Sequence, residues 1–430
     1  MLKNKIEAKT AKIGILGLGY VGLPLAVEFA KAGFRVTGFE VDPRKVQSLN
    51  KGVSYIGDIT HEELAPLVKN KTLFATKDFS RLRQMDVCII CVPTPLNKTK
   101  DPDISFISAS TMEIGRYLHR DQLIVLESTT YPGTTRDFVL PLLEKKGLKA
   151  GKDIYLAFSP ERIDPGNTQY RLANTPKVVG GVTPRCTELA TLLYSQVVQK
   201  VVPVSSPESA ELVKLLENTF RAVNIGLVNE MALICDRLGL NVWEIIEAAR
   251  TKPYGFMPFY PGPGLGGHCI PVDPHYLSWK MKTLNFSAHF IELAGEVNSH
   301  MPEFVVEKIG RALNARERSI KGARILILGV AYKANVSDVR ESPALDVIHL
   351  LGEKGATVTY HDPHVPQLRI ADKAFKSKPY SAALLKAADV VVITTNHATF
   401  NPQAILSAAS LVVDTRNLMH GLTANHLIHL

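Results

Sequence analysis

The sequence predicts an α/β protein of two doubly wound, parallel-sheet domains joined by an all-helical central region with one long helix. Three observations carry that expectation. Residues 12–16 read as a short apolar strand that runs into a glycine-rich turn, a helix and a second strand at 35–39. The same order returns late in the chain, where 324–362 echoes 12–42. Between the two, a helical pattern capped by Ser206, with Pro207 in its first turn, continues to Leu238 before Gly239. At 1.5 Å per residue it is roughly 48 Å long, which outgrows one domain and suits an interface. With 430 residues the chain exceeds a single ordinary core, and the expected division is 1–203, 204–315 and 316–430.

Composition narrows the class of function. Hydrophobic residues at 46% and charged residues at 21% exclude a disordered chain. Apolar runs such as Val391-Val392-Ile393 are too short to span a bilayer, and residues 1–7 lack the apolar core of a secretion signal. Five scattered cysteines fit a reducing cytoplasm rather than a disulfide framework. Cys88 and Cys91 lie in the apolar run 86–92, which reads as a buried strand. The net charge of +9 suits anionic partners. Its basic residues are dispersed, and the densest group, 311–324, lacks interleaved aromatics, so nucleic acid is not expected.

In the first domain, Gly17-Leu18-Gly19-Tyr20-Val21-Gly22 sits between a strand and a helix that Gly33 closes. That context makes it a dinucleotide fingerprint of the Rossmann type. Gly17 allows the tight turn, Gly19 lets a pyrophosphate reach the helix N-terminus, and Gly22 lets the helix pack on the strand. Glu40, at the end of the second strand, is placed to bind both ribose hydroxyls and to repel a 2′-phosphate, so NAD is expected over NADP, with Lys45 or Arg44 softening the preference. Strands at 86–92 and 122–127 end in Pro93-Thr94-Pro95 and Ser128-Thr129-Thr130. Ligands sit beyond such strand ends, so Thr94 and Thr129 are candidate contacts, or else turn and capping hydroxyls. The strand 154–158 leads into Ser159-Pro160-Glu161-Arg162.

On the long helix Lys214, Asn218 and Arg221 fall at i, i+4 and i+7, one polar stripe that is either solvated or fit for an oxyanion. The segment 262–273, Gly-Pro-Gly-Leu-Gly-Gly-His-Cys-Ile-Pro-Val-Asp, cannot be regular structure. It reads as a loop wrapping a ligand and ending on a nucleophilic thiol, Cys269, with Asp273 four residues on, or as a tight turn before a buried cysteine. A zinc site on His268, Cys269, Asp273 and His275 has poor ligand spacing, so no metal is expected. Residues 279–300 look helical and continue through 304–314. Strands follow at 323–329, 356–360, 389–395 and 411–414, with a helix opened by Ser342-Pro343. Here the glycine fingerprint is replaced by Tyr332-Lys333, which suits a phosphate-bearing substrate held by Lys333.

Six stretches in order resemble the UDP-glucose/GDP-mannose dehydrogenase family over essentially the whole chain. They are 17–22, Val92-Pro93-Thr94-Pro95, Ser159-Pro160-Glu161-Arg162, Lys214-Leu215-Leu216-Glu217-Asn218, Gly266-Gly267-His268-Cys269, and Tyr332-Lys333 through Arg340-Glu341-Ser342. The resemblance implies a homodimer built on the central helix and a four-electron oxidation of a UDP-sugar at C6 using NAD twice. It implies that Asp273, Lys214 and Thr129 order the water that takes the first proton, and that Cys269 carries the thiohemiacetal and thioester. By the same resemblance Lys214 and Asn218 stabilise oxyanions, and Asp273 or Glu161 activates the hydrolytic water. The backbone from Tyr260 to Gly266, Gly264 included, contacts the sugar phosphate, Glu161, Arg162 and Arg221 belong to the substrate site, Tyr332 and Lys333 bind the UDP, and Arg340 reaches the cofactor, which also lies against Cys269, Thr94 and Thr129. Pro271-Val272-Asp273 and the 260–264 segment look like the branch acting on N-acetylated UDP-hexosamines, so UDP-GlcNAc is preferred over UDP-ManNAc or UDP-glucose. Arg221 and His397 are candidates for reading the acetamido group. The rivals are a two-electron hydroxy acid dehydrogenase, which would not need Cys269, and a non-catalytic NAD-binding protein.

Overall fold

The computed structural model describes every residue except Asp58, Lys98 to Lys100, Asp164 to Gly166, Thr168 and His268. The chain divides into two compact units. One comprises 1–217 with 275–286, the other 218–274 with 287–430.

The first unit is organised on an eight-stranded sheet: β1 (Lys12–Leu16), β2 (Arg35–Phe39), β3 (Leu73–Thr76), β4 (Val87–Ile90), β5 (Gln122–Leu126), β6 (Ile154–Phe158), β7 (Lys177–Gly181) and β8 (Val201–Val204). The strand order is 3-2-1-4-5-6-7-8, parallel throughout except that β6 and β7 run antiparallel. β4, β5 and β6 are buried at every residue, as expected of strands covered on both faces. Cys88 and Cys91 belong to this core. The order reverses between β1 and β4, so the loops leaving those two strands diverge and open a crevice at their carboxyl ends.

The second unit repeats the plan with β9 (Arg324–Leu328), β10 (Thr357–His361), β13 (Val390–Ile393), β14 (Val412–Asp414) and β15 (Leu427–His429), while β11 (Gln367–Ile370) and β12 (Lys373–Lys376) form a separate hairpin. The five-stranded sheet is parallel in the order 10-9-13-14-15. Its switch point lies between β9 and β13.

A 32-residue helix, Pro207–Leu238, is continuous, as its pattern predicts. The helix expected over 279–300 is instead two, Asp273–Lys282 and His289–Asn314. The break falls where Asn285 adopts φ +54, a left-handed conformation that ends a helix. No described helix is long and apolar enough to cross a membrane.

Candidate active site

In the first unit the glycine turn sits at the β1/β4 switch point. Gly17 has φ +90, and a Cβ there would lie 2.6 Å from the Cys91 carbonyl oxygen. A Cβ on Gly22 would fall 1.9 Å from the Gly17 oxygen, whereas one on Gly19 meets nothing within 4 Å. The turn is therefore closed on its inner side and open at its middle, which leaves room for a pyrophosphate above the helix Gly22–Lys31. Tyr20 is exposed and Val21 half-buried. The Leu18 amide donates to Glu40 Oε2 at 3.1 Å, while Glu40 Oε1 accepts the amides of Val41 and Asp42 at 2.8 and 3.1 Å. Three of the roughly four acceptor positions of this carboxylate are thus taken by backbone. Lys45 Nζ lies 3.7 Å from Oε2. These residues fit a dinucleotide with free ribose hydroxyls.

Further along the same sheet edge, Thr94 and Thr129 are half-buried, and the Thr94 carbonyl accepts the Tyr276 hydroxyl at 2.5 Å. The segment just beyond Thr129 is tied down by Glu211. Its Oε2 accepts the Gly133 amide at 2.7 Å, and Oε1 accepts the Thr135 amide and hydroxyl at 2.9 and 2.7 Å. Burial dominates and raises the Glu211 carboxyl to about 7 against the pull of those donors. Glu161 is held in a buried ion cluster, because Lys177 Nζ lies 3.1 Å from both Glu161 and Glu127, and the Tyr194 hydroxyl donates to Glu127. Burial pushes the two carboxyls up. Lys177 and two backbone amides bring Glu161 below the ordinary range, while Glu127 stays above it. Arg162 makes a forked pair with Glu217 at 2.6 and 3.3 Å. Lys214 is only 9% exposed and makes no hydrogen bond or ion pair among the described residues. A buried ammonium of that kind is suited to an incoming anion.

In the second unit the loop before Asp273 is built around backbone contacts. The Cys269 carbonyl accepts the amides of Val272 and Asp273 at 3.0 and 2.7 Å, which starts the helix at Asp273. Asn218 Nδ2 donates to Asp273 Oδ2 at 2.5 Å. None of the five cysteines is in a disulfide; Cys269 is half-buried, whereas Cys88, Cys91, Cys186 and Cys235 are buried. Upstream, the Gly262 amide donates to Asn229, which is bonded in turn to Asn298. Gly267 has φ +92, its amide donates to the Arg340 carbonyl at 3.0 Å, and a Cβ there would strike the Tyr332 ring at 2.9 Å. A Cβ on Gly266 would come 2.6 Å from Tyr332 Cβ, and Gly264 lies against Pro343. Gly266 and Gly267 are therefore required by close packing on Tyr332, and Gly264 by its contact with Pro343 and the Asn298 carbonyl.

Other expected residues sit apart from this packing. Arg221 is exposed. The Tyr260 hydroxyl donates to Glu247 at 2.8 Å, and the Arg340 guanidinium is paired with Asp338. His397 is wholly buried with both ring nitrogens bonded inside the protein, so it has no nitrogen to offer an acetamido group. His268 lies outside the described residues. Among the described residues no cluster of His, Cys, Asp and Glu is arranged to hold a metal ion. Sequence reasoning missed Lys177, Glu127, Tyr194, Glu211 and Asp362. Each pairs with residues distant in the chain, and only the apolar surroundings of Glu127 and Glu211 hinted at burial.

Comparison with known proteins agrees with this architecture. Three domain descriptions of the UDP-glucose/GDP-mannose dehydrogenase family match in order: the NAD binding domain over residues 11–198, the central domain over 208–300 and the UDP binding domain over 326–421. The chain is 36% identical over 359 residues to UDP-N-acetyl-D-glucosamine 6-dehydrogenase of Pseudomonas aeruginosa, covering 83% of this chain and 84% of that one. It is 35% identical to UDP-N-acetyl-D-mannosamine dehydrogenase of Pyrococcus horikoshii, covering 95% and 96%. A solved structure of the UDP-D-ManNAc dehydrogenase from Pyrococcus horikoshii superposes with a TM-score of 0.89 at 33% identity, covering 97% of this chain and 98% of that one. The chain thus belongs to the UDP-glucose/GDP-mannose dehydrogenase family and is an NAD-dependent oxidoreductase acting on nucleotide sugars.

Proposed function

We propose that the protein oxidises the C6 alcohol of a UDP-N-acetylhexosamine, UDP-N-acetylglucosamine foremost, to the carboxylate, supplying surface-polysaccharide precursors in the cytoplasm. The observation that carries this reading is the turn at Cys269, which places a half-buried thiol one helical turn from a carboxylate bonded to the Asn218 amide. A two-electron hydroxy acid dehydrogenase has no use for that thiol. NAD, when bound, supplies the electron acceptor for both oxidations. Residues 1–203 bind it through the 17–22 turn, and Glu40 has one acceptor position left for a ribose hydroxyl. Residues 204–315 carry the loop, and 316–430 take the UDP through Tyr332 and Lys333.

In the first oxidation the alcohol proton leaves to water held by Asp273, Lys214 and Thr129. The Cys269 sulfur then adds to the aldehyde carbon and its proton passes to solvent, giving a thiohemiacetal whose oxidation leaves a thioester. Lys214 and the Asn218 amide offset negative charge on the reacting oxygen. Water activated at Asp273 or Glu161 cleaves the C–S bond, releasing the carboxylate and restoring the thiol. The helix Pro207–Leu238 exposes Leu216, Phe220, Leu227, Ile234 and Leu238, an apolar face suited to a second copy of the chain.

The test is turnover on a panel of UDP-GlcNAc, UDP-ManNAc and UDP-glucose. Two NADH per sugar and the uronic acid product are expected from wild type, and Cys269→Ser stops at the aldehyde. Acid production by that variant at the wild-type rate would sink the covalent route. UDP-ManNAc is the second reading, favoured by the near full-length match to a relative named for that substrate.

A further inference from the structure

At the switch point of the second sheet, the loop leaving β9 is held from within the fold. Asp362, 3% exposed and immediately after β10, receives five donors. Its Oδ2 accepts the amides of Val330 and Ala331 at 2.7 and 3.1 Å and His397 Nε2 at 3.0 Å. Its Oδ1 accepts the amides of His364 and Val365 at 2.8 and 3.1 Å. His397, on the loop leaving β13, is 0% exposed and packs edge-on against Phe400 at 5.4 Å. Its Nδ1 receives the backbone amide of Asn335 at 3.0 Å. A backbone amide only donates, so Nδ1 carries no proton, and the ring is the neutral tautomer with its proton on Nε2, directed at Asp362. Asn335 sits at φ +62, and its Oδ1 accepts the Ala398 amide at 3.0 Å, which closes a reciprocal clasp between the two loops. Thr395 adds a bond to the Ala331 carbonyl at 2.6 Å.

The clasped segment, 330–335, is the one that carries Tyr332 and Lys333. It has no helix or strand of its own to fix it, and two of its amides are consumed by Asp362. A nucleoside diphosphate arriving there is met by side chains whose placement depends on the loop. We infer that His397 is a positioning residue for the nucleoside diphosphate part of the substrate, acting through Asn335 on the Tyr332-Lys333 segment while Asp362 fixes the ring. The inference rests on the reading that Lys333 meets the diphosphate.

Two isosteres separate the contacts. An asparagine side chain places its Oδ1 near the imidazole Nδ1 position and keeps the bond to Asn335. A glutamine places its nitrogen near Nε2, keeps the bond to Asp362 and loses the one that reaches the loop tip. UDP and NAD are titrated separately by calorimetry into the full-length wild type, His397→Gln, His397→Asn and Lys333→Ala. Loss of one hydrogen bond to a partly buried amide is expected to weaken UDP binding by His397→Gln about tenfold. His397→Asn should stay within about threefold of wild type, NAD affinity should hold in both, and Lys333→Ala should lose UDP. Wild-type UDP affinity in His397→Gln, alongside a weakened Lys333→Ala, overturns the inference alone. An unchanged Lys333→Ala overturns the underlying reading and the inference together. Parallel loss of UDP and NAD affinity in both His397 variants means a general folding defect and also overturns it.

Discussion

Glu211 makes the stability of the first unit depend on pH in a direction opposite to that of an ordinary paired carboxylate. It is fully buried on the helix Pro207–Leu238, and burial carries its carboxyl from an ordinary value of 4.5 to about 7, the Gly133 and Thr135 donors opposing the rise and Glu208 adding to it. A carboxyl whose pKa is raised by folding is bound more tightly to its proton in the native state. Its contribution is complete below pH 4.5 and is lost as pH rises through 7. That rise corresponds to about 3 kcal/mol in all, of which about 2 to 3 kcal/mol disappears between pH 5 and 8. Glu211→Gln removes the titration. It adds a pH-independent cost of about 1 to 3 kcal/mol, because an amide NH2 now faces a backbone donor. The chain has two tryptophans. In a Trp243→Phe background the remaining one, Trp279, packs against Tyr131 at 4.8 Å, four residues from Thr135, so its emission reports on this loop. Urea unfolding of that background with and without Glu211→Gln, from pH 5 to 8, gives the difference directly, since other titrations cancel. The wild-type residue should lose ground to the variant as pH rises. A difference that stays flat across the window would refute the reasoning.

Two further substitutions probe each side of the first unit. Lys177→Met leaves Glu127 and Glu161 buried without their shared cation and should destabilise the unit by about 3 to 5 kcal/mol; a thermal midpoint within a degree of wild type would contradict the buried cluster. Gly22→Ala puts a Cβ 1.9 Å from the Gly17 oxygen. Opening the turn should weaken NAD about 10- to 100-fold while UDP binding is unchanged, as read by calorimetry; undiminished NAD affinity would mean that the turn is not the cofactor's seat.

The parts of this fold that sequence makes plain are those specified locally. A strand, a Gly17-to-Gly22 turn and a helix are neighbours in the chain, so their pattern and their structure coincide. The break at Asn285 is not legible, because apolar spacing continues through it and a left-handed asparagine leaves no periodic mark. The short edge strand Leu427–His429 and the lysine-bearing hairpin at 367–376 likewise escape notice, since edge strands carry little apolar alternation. Lys177 reads as a surface lysine until the fold brings Glu127 and Glu161 to it from 50 and 16 residues away. The same holds for His397, whose partners lie 35 and 62 residues upstream. Local pattern carries the scaffold, whereas the charges that hold its loops are long-range and invisible until the strands are ordered.

The two sheets solve one problem with the same device and diverge in what they leave over. Each has a carboxylate immediately after its second strand, Glu40 after β2 and Asp362 after β10, and each carboxylate accepts an amide from the turn that follows the first strand. In the first unit the turn is glycine-lined and Glu40 takes the amide of Leu18, with Gly19 facing open space, so backbone remains to be offered to a pyrophosphate. In the second unit Asp362 takes two successive amides and His397 takes a third, so little backbone is left to donate. On the proposed function, in which Tyr332 and Lys333 take the UDP, a diphosphate there is met by side chains where the first unit offers the main chain of its glycine turn. On this reading the duplicated scaffold accounts for two nucleotide sites of different chemistry: the carboxylate is common to both, and the residue that caps it decides whether the loop binds through its main chain or through what it displays.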